Sequence, residues 1–245
     1  VFTYPGAPGP ALDGVRLSIA PGERIGLVGP VGAGKTTMLS VIPRLVDPPA
    51  GTVMLDGVPV EDWSLPELRE HVGLVPQDDF LFSDTLEANV AFGVHDGGPG
   101  EPDDEAVARA TARACLDADV ARFPDGFLTR VGERGVTLSG GQKSRVAIAR
   151  SLMTHPGVLL LDDCLSSVDS DTEARLLKNL ERASRGRTTL FAGHRLASLR
   201  WCDRIVVLEE GRITEQGTHA ELVGADGWYA RQWQYQKLEG ELEQW

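Results

Sequence analysis

Short apolar runs recur along this chain, and each is bounded by glycine, proline or charged residues. Runs of this kind are typical of buried strands. They occupy residues 24–28, 72–76, 158–161, 188–192 and 204–208. Segments with helical spacing, such as 36–45 and 105–116, separate them. Strands that alternate with helices predict an α/β fold built on a mainly parallel sheet.

The pattern changes between about 79 and 150, where helical spacing dominates and a Gly/Pro-rich break occurs at 97–102. We interpret this stretch as a helical insert. The length is that of one large domain or two small ones. We predict a single domain, with a core formed by 1–78 and 151–245 and a helical subdomain at about 79–150.

Three further segments carry weaker patterns. Partial alternation of apolar and polar residues over 12–19, followed by Pro-Gly, predicts a strand and a turn. Residues 51–57 are expected to form a strand that ends in a turn. The aromatic and charged stretch 228–245 is expected to be a terminal helix.

The composition is that of an ordinary folded protein, with 42% hydrophobic residues and a formal net charge of −12 over 245 residues. This acidity argues against binding of nucleic acid through a basic face. It does not exclude phosphate ligands, because backbone N–H groups can bind them locally. Three separated cysteines, Cys115, Cys164 and Cys202, are predicted to be reduced thiols. No membrane span or signal peptide is found, and a start at Val1 suggests a piece of a longer chain.

Residues 29–36 read GPVGAGKT, which matches G-x-x-x-x-G-K-[ST] between a predicted strand and a predicted helix. Glycines let successive N–H groups point at one anion, and the helix start adds partial positive charge. Lys35 is expected to reach the β- and γ-phosphates, and Thr36 to ligate Mg²⁺. The alternative, a glycine-rich turn with an incidental lysine, fits these flanks poorly. The candidate nucleotide-binding residues of this phosphate loop are Gly29, Val31, Gly32, Ala33, Gly34, Lys35, Thr36 and Thr37.

The apolar strand 158–161 ends in two aspartates. A carboxylate at the C-terminal end of such a strand faces the ligand crevice of an open sheet. We expect Asp162 to hold Mg²⁺, and Asp163 to polarise the attacking water. The alternative is a pair of helix-capping aspartates. The phosphate loop alone does not separate kinases, GTPases, helicases and transport ATPases.

Residues 138–142 read LSGGQ and resemble the signature segment of ATP-binding-cassette (ABC) ATPases. The resemblance covers almost the whole chain. It implies a P-loop (RecA-like) sheet core with an antiparallel β subdomain and a helical insert. It also implies ATP as substrate, Mg²⁺ as cofactor, and a second cassette that packs head to tail.

The resemblance carries roles onto further residues. Tyr4 looks like the aromatic that stacks on adenine, Gln77 like the glutamine that senses Mg²⁺, and His194 like the switch histidine at the γ-phosphate. Each has a plainer alternative: a surface tyrosine, a helix-capping glutamine, a structural histidine. Residues 166–169 look like the loop that crosses to the partner cassette. The signature residues expected to bind nucleotide in trans are Ser139, Gly140, Gly141 and Gln142.

Two segments resemble exporter-type cassettes. Residues 131–135 look like the loop that contacts the cytoplasmic ends of transmembrane helices, and 79–86 like a groove for a coupling helix of the membrane domain. The resemblance therefore implies a motor domain of an exporter at the cytoplasmic face of a membrane. A soluble cassette ATPase of DNA repair or translation is the alternative; the exporter-like loop, the short insert and the acidic charge count against it.

The sequence departs from the family at Asp163, where active members usually have glutamate. The shorter side chain withdraws the carboxylate by about one methylene, and a misplacement near 1 Å can cost about 100-fold in rate. We therefore expect slow hydrolysis at this chain's own site and, with an intact signature segment, a heterodimer with one weak site. A homodimer in which aspartate suffices, or a nucleotide-dependent dimerisation module, remain alternatives. Gly193 is a second departure, and it is expected to loosen the placement of His194.

Overall fold

A mixed sheet forms the centre of the computed structural model, which describes residues 1–94, 103–132 and 136–242. The strands in these ranges are β1 (Arg24–Val28), β2 (Met54–Leu55), β3 (Val58–Pro59), β4 (Val72–Val75), β5 (Val158–Asp162), β6 (Thr188–Ala192), β7 (Arg204–Glu209) and β8 (Arg212–Gly217). The main sheet has the order β4-β5-β6-β1-β7-β8, parallel throughout except for the antiparallel pair β7–β8. β2 and β3 form a separate antiparallel hairpin. The predicted mainly parallel α/β fold with a small antiparallel part is confirmed.

Helices flank this sheet on both faces. In the described ranges they are α1 (Lys35–Val41), α2 (Leu65–His71), α3 (Leu86–Ala91), α4 (Asp104–Arg113), α5 (Asp117–Val120), α6 (Gly140–Met153), α7 (Ser170–Ala183), α8 (His219–Gly224) and α9 (Trp228–Leu242). Helices α3 to α6 occupy the stretch expected to be a helical insert. The Gly/Pro-rich break at 97–102 and the last residues, 243–245, lie outside the described residues. Of the helices described, none combines the length and apolar character that a membrane crossing requires.

Three of the sequence-based expectations differ from the structure. The helical spacing over 105–116 corresponds to α4, which ends at Arg113, and Cys115 beyond it has a positive φ of 57°. The helix expected over 36–45 ends at Val41, because Pro43 has no N–H to continue the helix and Arg44 adopts a positive φ of 53°. The strand predicted over 12–19 is wrong, since Leu12 makes a single bridge to Phe2 and no ladder follows. Its alternation instead reflects Val15, Leu17 and Ile19, whose partly buried side chains pack against the core.

The hairpin between β2 and β3 turns at Asp56 and Gly57, with φ of 50° and 81°. Two consecutive positive φ values are those of the tight Asp-Gly turn that matches strand twist. The expected strand and turn over 51–57 is thus confirmed, although its strand is only two residues long.

The apolar strands of the sheet are buried on both faces, whereas the residues of the edge strand β8 are exposed or half-buried. Leu159 and Leu161 of β5 point into a core covered by α3, α4, α6 and α7, whereas Leu160 points into a second core with α1 and α2. All three cysteines are buried and free, as predicted. The parallel strands bring the ends of β1, β4, β5 and β6 to one edge, and the candidate site lies there.

Candidate functional site

The phosphate loop follows β1 and depends on glycine. Gly29, Gly32 and Gly34 have φ of 152°, 80° and 103°. A Cβ on Gly29 would lie 1.9 Å from the Leu208 carbonyl O, and one on Gly34 would lie 2.5 Å from the Ala11 carbonyl O. Among the described residues, no side chain caps the start of α1, and its first turn contains no acidic residue. The N–H groups at the start of α1 are therefore left without a side-chain acceptor, which suits an anion site.

Lys35 curls back over this loop. Its Nζ donates hydrogen bonds to the carbonyl O atoms of Gly29 at 2.8 Å and Pro30 at 2.9 Å. Partial burial lowers the pKa of Lys35, while the charges of Asp163 and Asp162 oppose that shift. The ammonium group thus lies between the phosphate loop and the two aspartates.

Asp162 ends β5 and is only 4% exposed. Burial raises the pKa of this carboxyl, and the charge of Asp163 adds to the rise, whereas a hydrogen bond from the Thr36 side chain lowers it. Gln77 follows β4, the neighbour of β5 in the sheet, and its side chain is exposed. A carboxylate, a hydroxyl and an amide oxygen at one edge are the hard ligands that suit Mg²⁺. The residues present therefore fit the metal.

Asp163 and His194 form a hydrogen-bonded pair beside this carboxylate. The His194 Nδ1 lies 2.9 Å from the Asp163 Oδ1, and this bond raises the pKa of His194 against the opposing effect of burial. Asp163 has a φ of 43°, and its N–H donates to the Ala192 carbonyl O at 2.9 Å. A Cβ on Gly193 would meet its nearest atom at 3.9 Å, so no close contact requires the glycine. The expectation that Gly193 loosens His194 is not tested by this geometry.

Tyr4 lies next to the helix that begins at the phosphate loop. Its hydroxyl is 3.2 Å from the Thr37 Oγ1, and its ring meets Phe2 edge-on with centroids 4.9 Å apart. The side chain remains 37% exposed. An exposed ring face next to α1 is available for stacking.

The signature segment starts α6 with a capping box. Ser139 Oγ accepts from the Gln142 N–H at 3.2 Å, and Gln142 Oε1 accepts from the Ser139 N–H at 2.9 Å. The Gln142 Nε2 donates to Asp119 at 2.9 Å, so both ends of this amide are used within the chain. Gly140 and Gly141 pack against Ser167; a Cβ on Gly141 would lie 2.7 Å from the Ser167 carbonyl O. This arrangement fixes the helix start on the loop that follows β5.

A buried ion pair supports this helix start, and sequence reasoning missed it. Arg145 is 8% exposed and donates from Nη1 to Asp119 and to the Cys115 carbonyl O, both at 2.6 Å. Its Nε donates to the Gly141 carbonyl O at 3.0 Å. The capping box could have been recognised from the S-x-x-Q spacing. The ion pair joins residues 26 apart and has no local signal.

The two groups of predicted site residues remain apart. Lys35, Thr36, Asp162, Asp163 and His194 meet at the sheet edge. In the described part of the chain, no hydrogen bond joins residues 29–36 to residues 139–142. Within the described chain, the signature segment is thus not hydrogen-bonded to the phosphate loop.

The sequence matches the family model described as ABC transporter over residues 12–166. This chain belongs to the ABC transporter family. The match includes the phosphate loop, the signature segment and both aspartates, and it ends before His194.

The relatives of this ABC transporter domain are longer proteins. It is 47% identical over 230 residues to an ATP-dependent lipid A-core flippase of Cupriavidus metallidurans, covering 94% of this chain and 38% of that protein. It is 41% identical over 237 residues to a probable multidrug resistance ABC transporter ATP-binding/permease protein, YheI, of Bacillus subtilis, covering 97% of this chain and 40% of that protein. A bacterial Atm1-family ABC exporter solved with ATP bound superposes with a TM-score of 0.87 at 40% identity. The superposition covers 96% of this chain and 40% of that chain. The chain thus spans about two fifths of these relatives' length.

This ABC transporter domain also exposes an aromatic patch, formed by Phe80, Phe82 and Phe92. Phe80 is 65% exposed and Phe92 54%, and Phe82 stacks on Phe92 with centroids 4.1 Å apart. Arg150 lies over the rings of Phe82 and Phe92 at 5.7 and 5.8 Å, and its Nε donates to the Asn89 carbonyl O at 2.8 Å. The second exporter-like segment, 131–135, is described only at Val131 and Gly132; 133–135 lie outside the described residues.

Proposed function

We propose that this chain is the ATP-binding and ATP-hydrolysing motor domain of an ABC exporter, with reduced hydrolysis at its own site. The observation that carries the proposal is the convergence of Lys35, Thr36, Asp162, Asp163 and His194 at one edge of the sheet. The names of the relatives, a flippase and exporters, support export as the coupled process. We further propose that the 1–245 unit is one nucleotide-binding domain with a helical subdomain at about 79–150.

ATP binding would use the phosphate loop as a cradle. The N–H groups of residues 29–36 would bind phosphate oxygens, and Lys35 would exchange its bonds to the loop carbonyls for the β- and γ-phosphates. Tyr4 would stack on adenine. Thr36, Asp162 and Gln77 would hold Mg²⁺, which supplies neutralisation of phosphate charge when bound.

Hydrolysis would depend on the Asp163–His194 pair. In this proposal, Asp163 orients the attacking water and accepts its proton. His194 donates a hydrogen bond to the γ-phosphate. The raised pKa of His194 favours the protonated ring, which stabilises the charge that develops on the phosphate.

The signature segment would act on a partner's nucleotide. Ser139 uses one acceptor position for the cap of α6, so its O–H proton is available to a γ-phosphate in trans. The N–H groups of Gly140 and Gly141 lie at the start of the same helix. Two head-to-tail domains would therefore close around two ATP molecules, and hydrolysis would release them.

The presence of aspartate at position 163 is the argument for slow ATP hydrolysis at this chain's own site. Its carboxylate reaches less far than a glutamate would and is already bonded to His194. The intact signature segment supports the proposal that this chain completes a fully active ATP site in a partner that carries glutamate. We therefore propose a heterodimer with one weak and one active site.

The aromatic patch supports a link to a membrane domain. We propose that its exposed rings receive a coupling helix and that this domain lies at the cytoplasmic face of a membrane. The chain spans about two fifths of its relatives. We propose that the membrane helices, and with them the recognition of cargo, belong to the remainder of such proteins.

The test is nucleotide binding and phosphate release by the 245-residue chain, alone and mixed with a relative's domain that carries glutamate. We expect tight Mg-ATP binding, slow release alone and faster release in the mixture. Lys35→Ala should abolish binding to this chain and is the control. Absence of Mg-ATP binding by the wild-type chain would refute the proposal.

A second candidate is a nucleotide-dependent dimerisation module with little turnover of its own. The engagement of Asp163 by His194 favours it, because a carboxylate held by imidazole is less available to water. Both candidates should associate with Mg-ATP in analytical ultracentrifugation, and phosphate release measured on the same samples separates them. ATP-dependent association with no phosphate release, even beside a glutamate-bearing partner, would favour the module.

A further inference from the structure

The loop that carries His194 is held by the last described helix of the chain. Gln236 lies on α9, and its side-chain amide makes two hydrogen bonds to this loop. The Gln236 Nε2 donates to the His194 carbonyl O at 2.7 Å, and its Oε1 accepts from the Leu196 N–H at 2.9 Å. A primary amide thus pairs with a donor and an acceptor two residues apart, as a neighbouring strand would.

Helix α9 is itself fixed at its start. Glu215 of β8 accepts hydrogen bonds from the N–H groups of Trp228 and Tyr229. The Tyr229 ring is fully buried, and its hydroxyl lies 2.8 Å from the His219 Nδ1. Gln236 follows Tyr229 by seven positions and therefore shares its helix face. The buried Tyr229 ring and the Gln236 amide therefore lie on the same side of α9.

Directly before His194, the Gly193 N–H donates to the Leu27 carbonyl O of β1 at 3.2 Å. The His194 side chain is 55% exposed, and Asp163 is the hydrogen-bond partner of the ring. Among the described residues, the bond from Gln236 is the only hydrogen bond to the His194 carbonyl O. Next along the loop, Arg195 pairs with Glu173 of α7. The orientation of the imidazole thus depends on the amide of α9 on one side and on Asp163 on the other.

We infer that Gln236 is a positioning residue, through which α9 sets the orientation in which His194 meets the γ-phosphate. This inference rests on the proposed contact between His194 and ATP. Gln236 touches neither nucleotide nor metal in this scheme and acts through the loop backbone. Displacement of α9 would release the loop and weaken binding of ATP, but not of ADP, which lacks the γ-phosphate.

The test is Gln236→Met in the 245-residue chain, since methionine keeps the length of the side chain and removes both hydrogen bonds. Gln234→Met is the matched control, because Gln234 is exposed on the same helix. Calorimetric titration with Mg-ATP and Mg-ADP gives the ratio of affinities. We expect His194→Ala to lower ATP affinity about tenfold, as loss of a hydrogen bond to a charged group implies. Gln236→Met should lower it about threefold or more. ADP affinity should not change in either variant.

A double-mutant cycle separates positioning from a general effect on folding. If Gln236 acts through His194, Gln236→Met should have no further effect on ATP affinity in a His194→Ala background. Equal losses for ATP and ADP, or full additivity with His194→Ala, would overturn the inference while the role of His194 stands. An unchanged ATP:ADP ratio in His194→Ala would overturn that proposed role and the inference with it. Gln236→Glu, which keeps the acceptor for Leu196 and loses the donor, provides a second variant with the same expected direction.

Discussion

Replacing Asp163 by glutamate should raise the rate of ATP hydrolysis at the site of this chain. The substitution adds one methylene to a carboxylate that lies against His194 at 2.9 Å. A misplacement near 1 Å costs about 100-fold, so restoring the reach should recover a factor of that order in kcat. This factor corresponds to about 2.7 kcal/mol of activation free energy.

The same substitution should lower stability. Asp163 has a φ of 43°, a left-handed conformation that aspartate adopts more readily than longer side chains do. The unfolding free energy of the Asp163→Glu variant should therefore be lower by about 1 kcal/mol, which corresponds to a fall of about 2–4 °C in Tm for a chain of this size. A faster and less stable variant cannot owe its rate to better folding.

The assay is phosphate release at saturating Mg-ATP over a range of protein concentrations, with Tm measured in parallel. Asp163→Asn is the matched control and should remain slow, because the amide cannot accept the proton. Lys35→Ala should abolish release in the Asp163→Glu background. A wild-type chain that already turns over rapidly, with no gain from glutamate, would refute the reasoning.

The remaining predictions concern the phosphate loop, the buried ion pair and pH. Gly29→Ala should abolish Mg-ATP binding, because its Cβ would lie 1.9 Å from a carbonyl O, whereas Gly32→Ala meets no atom within 4 Å and should cost only about 1 kcal/mol of stability for its positive φ. Arg145→Met should lower the unfolding free energy by about 3 kcal/mol, because it leaves the half-buried Asp119 carboxylate with a bond from Gln142 but without its charged partner. Arg109→Met, with exposed partners, should cost less than about 1 kcal/mol. The raised pKa of His194 means that its ion pair stabilises the fold fully below about pH 6.5 and loses that effect as pH rises through the raised value. His194→Gln should therefore be more destabilising at pH 6 than at pH 8, as urea unfolding would measure.

Each of these has an outcome that would count against it. Equal ATP binding in the two glycine variants would contradict the steric argument for Gly29. Similar losses of stability for Arg145→Met and Arg109→Met would mean that burial does not decide the value of the pair. A pH-independent cost of His194→Gln would mean that its hydrogen bond does not favour the protonated ring.

Local patterns could be predicted from the sequence because their physics is local. The strand, the glycine loop and the helix of the phosphate site lie within residues 24–41, so spacing alone indicated them. The apolar runs gave the order of elements, and their continuity predicted a sheet covered on both faces. The prediction of a strand over 12–19 was wrong because alternation indicates a half-buried face but does not indicate whether a neighbouring strand pairs with it.

Contacts between distant residues could not be predicted in this way. Asp119 and Arg145 are 26 residues apart, and His194 and Gln236 are 42 apart. Neither pair belongs to a periodic pattern, and each residue type is common on exposed surfaces. Only the folded chain brings these groups together, and both pairs support residues that the sequence did identify.

In the proposed composite site, the two halves contributed by this chain should be separable by mutation. Ser139 is held by its capping box and by the Asp119–Arg145 pair beneath it, while Asp163 is held by β5, β6 and His194. No hydrogen bond in the described ranges joins the two groups directly, although Gly141 packs on Ser167 in the loop that follows Asp163. We therefore expect a change at Asp163 to act mainly on the site at this chain's own phosphate loop. Ser139→Ala should impair only the partner's site and cost α6 about 1 kcal/mol through loss of its cap. Each single variant is therefore mixed separately with a glutamate-bearing partner. Comparing phosphate release in the two mixtures assigns slow turnover to one of the two sites, which neither variant achieves without the partner.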